Sequence, residues 1–340
     1  MKRRSLYFEG PGQVNVREES IPSGEPGQVL VEVETTAISA GTELLFYRGQ
    51  IPDWMATDAT IESLQQSNTY PLKYGYQSVG RVVEGPGNLK SLVGKKVFAF
   101  QPHESRYWSD PKNLILLPEE LDLEDAVLLP TMETAVNFLL DGKPLLGERV
   151  IVFGQGVVGL LTTSLLSQFP LTGLITVDSL SSRRNLSLQM GANFSFGLEQ
   201  APAIREMVTG LAGSPNGADL IFEISGAPEA LDLAIEFAGF SSRIIVGSWY
   251  GTKLAKLNLG GPFHRNRIQI KSSQVSTIDP TLLGRWTKER RLELAMEHLG
   301  RVQPSQLITH RFPIEQASSA YKLLDDPTED LLQVTFTYDH

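Results

Sequence analysis

Apolar and polar residues alternate with a period of two through much of the first 130 residues. The clearest stretch is VLVEVETT at 29–36, and shorter ones lie at 14–18, 78–84 and 96–101. Residues 6–8 form a further short strand-like run. A period of two predicts strands that bury one face. Several short strands without helices between them predict a small β-barrel.

Residues 149–273 alternate strand-like runs with segments of helical period. The predicted strands are short and apolar, and they cover Val150–Phe153, Leu174–Val177, Asp219–Ile224, Ser242–Gly247 and Ile268–Ser272. Segments between them, such as 182–190 and 229–238, place apolar residues at helical spacing. Alternating strands and helices predict a doubly wound parallel sheet.

The last part of the chain mixes the two patterns. It predicts helices at 281–299 and 314–324 and strands at 308–312 and 331–337. A further helix is predicted at 121–141, where Asp122 can cap the first turn. We therefore predict an α/β protein in which a β-barrel domain, residues 1–130 and 274–340, is interrupted by a doubly wound domain, residues 131–273.

Composition adds limits on class and location. With 340 residues, 41% apolar and 20% charged, the chain is an ordinary globular protein with room for two domains. The net charge of −9 argues against nucleic acid or an anionic membrane as partner. No apolar run is long enough to span a membrane, and no signal-peptide core follows the basic residues 2–4, so we expect a cytoplasmic protein. The absence of cysteine excludes disulfides and cysteine-bound zinc.

The first strand of the doubly wound domain runs into a glycine pattern, Gly-Gln-Gly-Val-Val-Gly at 154–159. Gly154 permits a tight turn, Gly156 lets the backbone approach a pyrophosphate, and Gly159 lets the next helix lie close to the sheet. The N–H groups and dipole at the start of that helix hold phosphates. The pattern therefore predicts a dinucleotide site with contacts from Gly154, Gly156, Val157, Val158 and Gly159.

Asp178 ends the second strand, 19 residues after Gly159. Its carboxylate would accept hydrogen bonds from ribose hydroxyls and repel a 2′-phosphate, which favours NAD over NADP. NADP stays open, because residues 179–184 include hydroxyls and arginines that could cradle a phosphate, and Arg183 could equally lie against the adenine. Further cofactor contacts are predicted at the carboxyl ends of later strands: Ser225, Gly247, Ser248 and Ser273.

The order of these motifs resembles the medium-chain dehydrogenase/reductase superfamily, the zinc-type alcohol dehydrogenase-like proteins, over essentially the whole chain. The resemblance is carried by ISAGTE at 38–43, YGYQSVG at 74–80, Thr134-Ala135, the glycine pattern, and FEISG at 222–226. It implies a GroES-like β-barrel joined to a Rossmann domain, with nicotinamide in the cleft between them. It also implies homodimers or homotetramers.

The zinc-ligand positions of that family are changed in this chain. Ser39 or Ala40 stands for the family's cysteine, Tyr76 for its histidine, and Pro130 or Thr131 for the third ligand. A catalytic zinc needs three nitrogen, sulfur or carboxylate ligands and an open position. We therefore expect no metal. The residues that could rebuild such a site are Glu43, His103 and Glu133.

Residues 44–76 form a long irregular stretch rich in aromatic side chains, and long ordered loops are usually functional. Aromatic residues there favour a bulky, planar or apolar substrate, although such loops also occur at subunit contacts. Three sequence segments resemble those of bacteriochlorophyllide-type dehydrogenases: SAGTE at 39–43, PHES at 102–105 and META at 132–135. That branch oxidises a hydroxyethyl group on a tetrapyrrole.

Without zinc, the proton at the substrate oxygen needs an acid/base group of the protein. Tyr76 is the first candidate, because it occupies a lost ligand position and its phenol can donate, although it could simply pack in a loop. His103 carries an imidazole, which suits a proton relay, or it bonds a backbone carbonyl. Glu133 is either a ligand-facing carboxylate or a first-turn acid stabilised by the helix dipole. Thr42 could pass a proton to the ribose or hold a turn.

The leading hypothesis is a zinc-independent NAD(P)-dependent oxidoreductase acting on an alcohol or carbonyl of a small molecule. A second enzyme hypothesis is reduction of a quinone or an activated C=C bond, in which the proton can come from solvent. A third is a nucleotide-binding protein without turnover, because loss of metal ligands is also what an inactive relative would show.

Overall fold

The computed structural model describes residues 1–52, 62–64, 68–210, 217–326 and 330–339. Contacts divide the chain into two compact units, Met1–Pro130 with Leu299–His340, and Thr131–His298. We call them unit 1 and unit 2. The predicted division had its second boundary at residue 274, so residues 274–298 lie in unit 2 in the structure.

Unit 1 is built mainly from strands. They are β1 (Lys2–Gly10), β2 (Gln13–Ser20), β3 (Val29–Ala37), β4 (Ser78–Glu84), β5 (Lys96–Ala99), β6 (Arg106–Ser109), β7 (Ile115–Leu116), and, late in the chain, a further pair at Ile308–Pro313 and Gln333–Thr337. Its helices are α1 (Ala40–Tyr47), α2 (Leu123–Ala126) and a late one at Ala317–Asp325. Strands β1 and β2 form a hairpin, and the other seven strands form one mixed sheet.

Strand β3 is the centre of the mixed sheet, because β4, β6 and the strand Gln333–Thr337 all pair with it. Its apolar positions Val29, Val31 and Val33 are fully buried, as the alternation predicted. The strand Gln333–Thr337 buries Phe336 in the same core. The predicted β-rich domain is confirmed, and its mixed sheet is the GroES-like part of the fold.

Two stretches of unit 1 differ from the prediction. Residues 44–47, the start of the stretch predicted to be irregular, lie in helix α1. Its first turn is closed by Glu43, which accepts the Ser39 N–H at 2.7 Å. The helix predicted at 121–141 is split, because Pro130 can begin a helix but cannot continue one. Asp122 caps α2 as predicted, accepting the Glu124 N–H at 2.7 Å.

Unit 2 alternates strands and helices. Its helix α3 (Leu129–Gly142) begins at the end of unit 1 and is followed by β8 (Arg149–Phe153), α4 (Val157–Leu166), β9 (Gly173–Val177), α5 (Ser181–Gln189), β10 (Phe194–Phe196), α6 (Ala201–Gly210), β11 (Ala218–Glu223), α7 (Pro228–Phe237), β12 (Ala238–Val246), β13 (Gln269–Ser272) and α8 (Lys288–Val302). The two late strands of unit 1 are β14 (Ile308–Pro313) and β15 (Gln333–Thr337), and its late helix is α9 (Ala317–Asp325).

The six strands of unit 2 form a parallel sheet in the order β10-β9-β8-β11-β12-β13. This order places the first strand in the middle, with the chain winding outward to both edges, as in a dinucleotide-binding sheet. Every residue of β8 and β9 is buried, as expected for strands covered on both faces. The predicted Rossmann fold is confirmed. Among the described residues, no helix has the length and apolarity needed to cross a membrane.

Candidate active site

The turn from β8 into α4 requires glycine at three positions for three different reasons. Gly154 has φ +89°, and a Cβ there would lie 2.5 Å from the backbone of Ser225. A Cβ at Gly159 would lie 1.9 Å from the Gly154 carbonyl oxygen, so the helix rests directly on the turn. A Cβ at Gly156 would meet nothing within 4 Å. The space at Gly156 is therefore open, and a pyrophosphate contact there stays a prediction.

Helix α4 begins at Val157 with no side chain capping its first N–H groups. Gly156, Val157 and Val158 are all partly exposed there. Uncapped N–H groups at the start of a helix, with the positive end of its dipole, suit the phosphates of a dinucleotide. The residues present fit a bound NAD or NADP.

Gln155 lies completely buried beneath the turn. Its amide nitrogen donates to the Gly154 carbonyl at 3.0 Å, and its amide oxygen accepts the Thr163 hydroxyl at 3.0 Å. Because Thr163 lies two turns into α4, this side chain joins the turn to the helix. Gln155 had no predicted role, although a buried amide in the centre of a glycine pattern requires internal partners.

Asp178 follows β9, and its carboxylate is only 8% exposed. One oxygen accepts the Gln155 N–H at 2.7 Å, and the other accepts the Leu180 N–H at 2.9 Å. The carboxylate therefore holds the glycine turn and its own loop. Arg184 donates to the carbonyl oxygens of Asp178 and Ser179 at 2.9 and 2.8 Å, and Arg183 is partly buried in the first turn of α5.

The carboxyl ends of β11 and β12 are joined through Glu223, which is fully buried. Its carboxylate accepts the Ser225 N–H at 2.9 Å and the hydroxyls of Ser225 and Tyr250. Burial and Glu223 both raise the pKa of Tyr250. Ser248 accepts the Gly226 N–H at 2.8 Å. The predicted contacts Ser225 and Ser248 thus lie on one ordered edge, with hydroxyls already engaged within the protein.

Two further predicted cofactor residues pack against α3. A Cβ at Gly247 would lie 2.2 Å from the Phe138 ring, so a side chain cannot fit at this position. The Ser273 hydroxyl donates to Asp141 at 2.6 Å and accepts the Asn137 amide at 3.0 Å. Both residues hold the end of β12 and β13 against α3.

Glu133 is buried on α3 and forms an ion pair with Arg291 of α8. Arg291, 1% exposed, donates to Glu133 at 2.9 and 3.0 Å and to Asn137 at 2.6 Å. It also donates to the carbonyl oxygens of Val275 and Thr277. Burial raises the pKa of Glu133, and Arg291 opposes that rise. No local pattern predicts this pair, because its residues lie 158 positions apart in the chain.

His103 and Glu43 form a buried pair in unit 1, with neither side chain exposed. His103 Nε2 lies 3.0 Å from Glu43 Oε2, and Nδ1 lies 2.7 Å from the Thr36 hydroxyl. The Tyr321 hydroxyl also donates to Glu43, and burial raises the pKa of Tyr321 well above its usual value. His103 therefore sits inside a network of hydrogen bonds away from solvent.

Tyr76 and Ser39 are both partly exposed, and the Tyr76 phenol donates a short hydrogen bond to Ser39 Oγ. The Tyr76 ring meets the edge of Tyr74, with centroids 6.1 Å apart. Thr42, also partly exposed, lies in the first turn of α1, where its N–H donates to the Ser39 carbonyl at 3.0 Å. The structure thus brings Tyr76 and Thr42 to the same end of α1.

The donor groups at the family's zinc positions do not fit a catalytic zinc. Ser39 and Tyr76 offer hydroxyls that bond to each other. The third position falls at Pro130, which has no donor side chain, or at Thr131, which offers a hydroxyl in place of nitrogen, sulfur or carboxylate. Within the part of the chain that the structure describes, no group of three or more His, Asp or Glu side chains could hold a metal ion.

Most described aromatic residues of the 44–76 stretch belong to the core of unit 1. Phe46, Tyr47 and Tyr74 are buried, and the ring of Phe46 lies tilted by 32° against that of Tyr74, with centroids 4.0 Å apart. Trp54 lies outside the described residues. Tyr70 and Tyr76 are partly exposed. Core packing therefore accounts for three of the aromatic side chains that suggested a planar substrate.

Comparison with known proteins places the chain among dehydrogenases, although no protein-family model matches it. It is 22% identical to sorbitol dehydrogenase of Ovis aries over 94% of the chain and 92% of that protein. It is 25% identical to D-xylulose reductase of Saccharomyces cerevisiae over 56% of the chain and 59% of that protein. A segment of 48% of the chain is 26% identical to 2-desacetyl-2-hydroxyethyl bacteriochlorophyllide A dehydrogenase of Cereibacter sphaeroides, and it spans 53% of that protein.

Solved structures share the fold over nearly the whole chain. An Escherichia coli CFT073 protein, described as a short chain alcohol dehydrogenase complexed with NADH, has a TM-score of 0.78 at 19% identity, covering 99% of both chains. A 2R,3R-butanediol dehydrogenase of Bacillus subtilis has a TM-score of 0.79 at 19% identity, covering 99% of this chain and 100% of the other. A putative zinc-binding dehydrogenase of Sinorhizobium meliloti 1021, bound to NADP, has a TM-score of 0.74 at 18% identity over 99% of each chain.

A GroES-like unit combined with a Rossmann unit that carries a complete dinucleotide turn defines the class: a nicotinamide-nucleotide dehydrogenase fold. The similarities to sorbitol dehydrogenase and to the bacteriochlorophyllide dehydrogenase support the predicted resemblance to the medium-chain dehydrogenase/reductase superfamily. The predicted fold is confirmed, and so is the prediction of an NAD(P)-dependent oxidoreductase at that level.

Proposed function

We propose that the chain is a zinc-independent oxidoreductase that transfers a hydride between NAD and an alcohol or carbonyl. One observation carries the proposal: a complete dinucleotide turn occurs in unit 2, while hydroxyl groups replace metal ligands at Ser39 and Tyr76 in unit 1. A bound nicotinamide supplies or accepts the hydride. The protein must bind the nucleotide and manage one proton at the substrate oxygen.

The residues of unit 2 account for nucleotide binding. Gly156 leaves room for the pyrophosphate, and the first N–H groups of α4 can bond its oxygens. Asp178 places a negative charge at the end of β9, which disfavours a 2′-phosphate and supports NAD over NADP.

We assign to Tyr76 the role of the acid/base group that exchanges a proton with the substrate oxygen. Its phenol is partly exposed and hydrogen-bonded to a second hydroxyl, so it can donate or accept a proton at a substrate oxygen. His103 and Glu133 are each buried and paired within their own units, which supports structural roles for both. Thr42 remains a further hydroxyl candidate at the same helix end.

A bulky, planar substrate stays a proposal. It is supported by the partial similarity to a bacteriochlorophyllide dehydrogenase and by the partly exposed ring of Tyr76. The similarity to sorbitol dehydrogenase and D-xylulose reductase supports testing polyols and sugars beside aromatic alcohols and ketones.

The test is a paired fluorescence titration with NADH and NADPH, with metal analysis of the same sample and a screen of these alcohols and carbonyls. We expect tighter binding of NADH, no stoichiometric metal, and turnover of at least one alcohol or carbonyl. One zinc ion per chain would contradict zinc independence and leave the rest of the proposed function standing. Turnover of quinones or enones only would favour the C=C or quinone reductase alternative. Binding without any turnover would favour a non-catalytic protein, and no binding would overturn the proposal.

A further inference from the structure

The hydrogen bond between the hydroxyls of Ser39 and Tyr76 has a defined donor and acceptor. Tyr76 donates to Ser39 Oγ, and among the described residues no group accepts a hydrogen bond from the Ser39 hydroxyl. We propose that Ser39 is the catalytic residue that meets the substrate oxygen, with Tyr76 behind it as the proton source. This inference rests on the proposed function and assigns the step that Tyr76 would otherwise perform alone.

The proton transfers balance along the hydrogen bond that is present. In carbonyl reduction, a bound NADH would supply the hydride to the carbonyl carbon. As the C=O π bond opens, the oxygen takes the Ser39 hydroxyl proton. Ser39 Oγ takes the phenol proton of Tyr76, and the phenolate takes a proton from water. Alcohol oxidation runs the same transfers in reverse.

The buried Glu43–His103 pair fixes the serine. Glu43 Oε1 accepts the backbone N–H of Ser39 at 2.7 Å, and Glu43 Oε2 lies 3.0 Å from His103 Nε2. A fully buried carboxylate with several partners has a single well-defined position. The backbone of Ser39 is therefore held by the core of unit 1.

The same pair fixes the tyrosine through the residue before it. Gly75 has φ +114°, and a Cβ there would lie 2.7 Å from the His103 ring. The backbone at Gly75 thus lies directly on the imidazole, and only glycine allows this approach. Glu43 and His103 are positioning residues, because each acts on the hydroxyl pair through the backbone.

The experiment compares Ser39→Ala, Ser39→Thr, Tyr76→Phe and the double variant Ser39→Ala/Tyr76→Phe. NADH-dependent reduction of benzaldehyde, with the carbonyls of the substrate screen, gives kcat and KM, and a fluorescence titration gives the Kd for NADH. We expect Ser39→Ala and Tyr76→Phe each to lower kcat by roughly 10²–10⁴-fold with little change in the NADH Kd. The double variant should be no slower than the worse single variant, because both residues act in one relay. Ser39→Thr keeps a hydroxyl and should restore most of the rate.

Tyr7→Phe is the matched tyrosine control, because the Tyr7 hydroxyl donates to Glu19 in the β1–β2 hairpin, outside the pair. It should leave kcat unchanged. A Ser39→Ala enzyme with nearly full kcat beside an inactive Tyr76→Phe enzyme would overturn the role of Ser39 and leave the proposed function intact. Absence of turnover by the unmodified enzyme across the whole screen would instead overturn the proposed function.

The positioning role has its own variants. Glu43→Gln keeps an oxygen that can accept the Ser39 N–H, whereas Glu43→Leu removes it. We expect Glu43→Leu to lower kcat at every pH without changing the shape of the pH–rate profile, and Glu43→Gln to retain most of the rate. A changed profile in a folded Glu43→Leu enzyme would contradict positioning and indicate direct proton transfer by Glu43.

Discussion

One carboxylate oxygen of Asp178 lies 2.7 Å from the backbone nitrogen of Gln155 and accepts its N–H. The residue expected to recognise the ribose is therefore also a support of the glycine turn. Nucleotide choice and the shape of the phosphate site depend on the same side chain.

Asp178→Asn separates these two roles. Asparagine keeps one oxygen that can accept an N–H, but it lacks the charge that repels a 2′-phosphate. We expect NADH affinity to fall about tenfold, or ~1.4 kcal/mol, and NADPH affinity to hold or rise. Paired fluorescence titrations measure the ratio of the Kd for NADH to the Kd for NADPH. An equal loss for both nucleotides would mean that Asp178 acts only on the turn.

Gly156→Ala and Gly159→Ala form a matched pair, because each adds one methyl group to the same motif. At Gly156 the methyl enters open space, so we expect weaker NADH binding, by about tenfold or more, with an unchanged Tm. At Gly159 the methyl would lie 1.9 Å from the Gly154 carbonyl, so we expect a lower Tm even without nucleotide. Calorimetry measures the Tm of each variant, and a titration with NADH measures its affinity for the nucleotide. A large drop in Tm for Gly156→Ala would show that the space at Gly156 is needed by the fold.

Arg291→Met should be strongly destabilising. It removes every donor that Arg291 gives to Glu133, Asn137 and two carbonyls, and it leaves a buried carboxylate uncompensated. Breaking one side of a buried pair costs about 3–5 kcal/mol, measurable as the free energy of unfolding in urea. The exposed neighbour Arg290→Met is the control and should change it little.

The double variant Glu133→Gln/Arg291→Met tests whether the unpaired Glu133 carboxylate causes the loss of stability in Arg291→Met. It should recover part of the lost stability, because no buried charge remains unpaired. If Glu133→Gln alone keeps full stability but loses turnover, the ion pair is not the main role of Glu133, and the prediction of a catalytic carboxylate regains support.

The hairpin of β1 and β2 should give unit 1 a sensitivity to acid. Burial alone would raise the pKa of Glu19, but hydrogen bonds from Lys73, Tyr7 and Ser5 lower it to about 2 from an ordinary 4.5. A lowered pKa means that the carboxylate stabilises the folded state above pH 4.5. This stability is lost as the pH falls towards 2.

Urea unfolding at neutral pH and between about pH 4.5 and about pH 2 measures this loss. Glu19→Gln should be less stable at neutral pH and should lose less stability across the acidic window. Parallel curves for the variant and the unmodified protein would show that Glu19 contributes nothing to the acid dependence.

The periodicity of the sequence predicted the fold well, because burial on one or both faces leaves a pattern in neighbouring residues. The doubly wound parallel sheet, the tight turn at Gly154 and the close packing at Gly159 followed from local spacing. The partners of His103 and Glu133 could not be predicted in this way. Glu43 lies 60 residues from His103 and Arg291 lies 158 residues from Glu133, so only the folded chain brings them together.

The pairing of β15 with β3 has a consequence for synthesis on the ribosome. Strand β3 is made early, but its neighbour β15 and the core residue Phe336 emerge only after all of unit 2. Domains generally fold as units as they emerge. We expect unit 2 to reach its native state first. Until β15 is made, the core of unit 1 lacks one of its strands. During that interval unit 1 is the part of the nascent chain that most needs a chaperone.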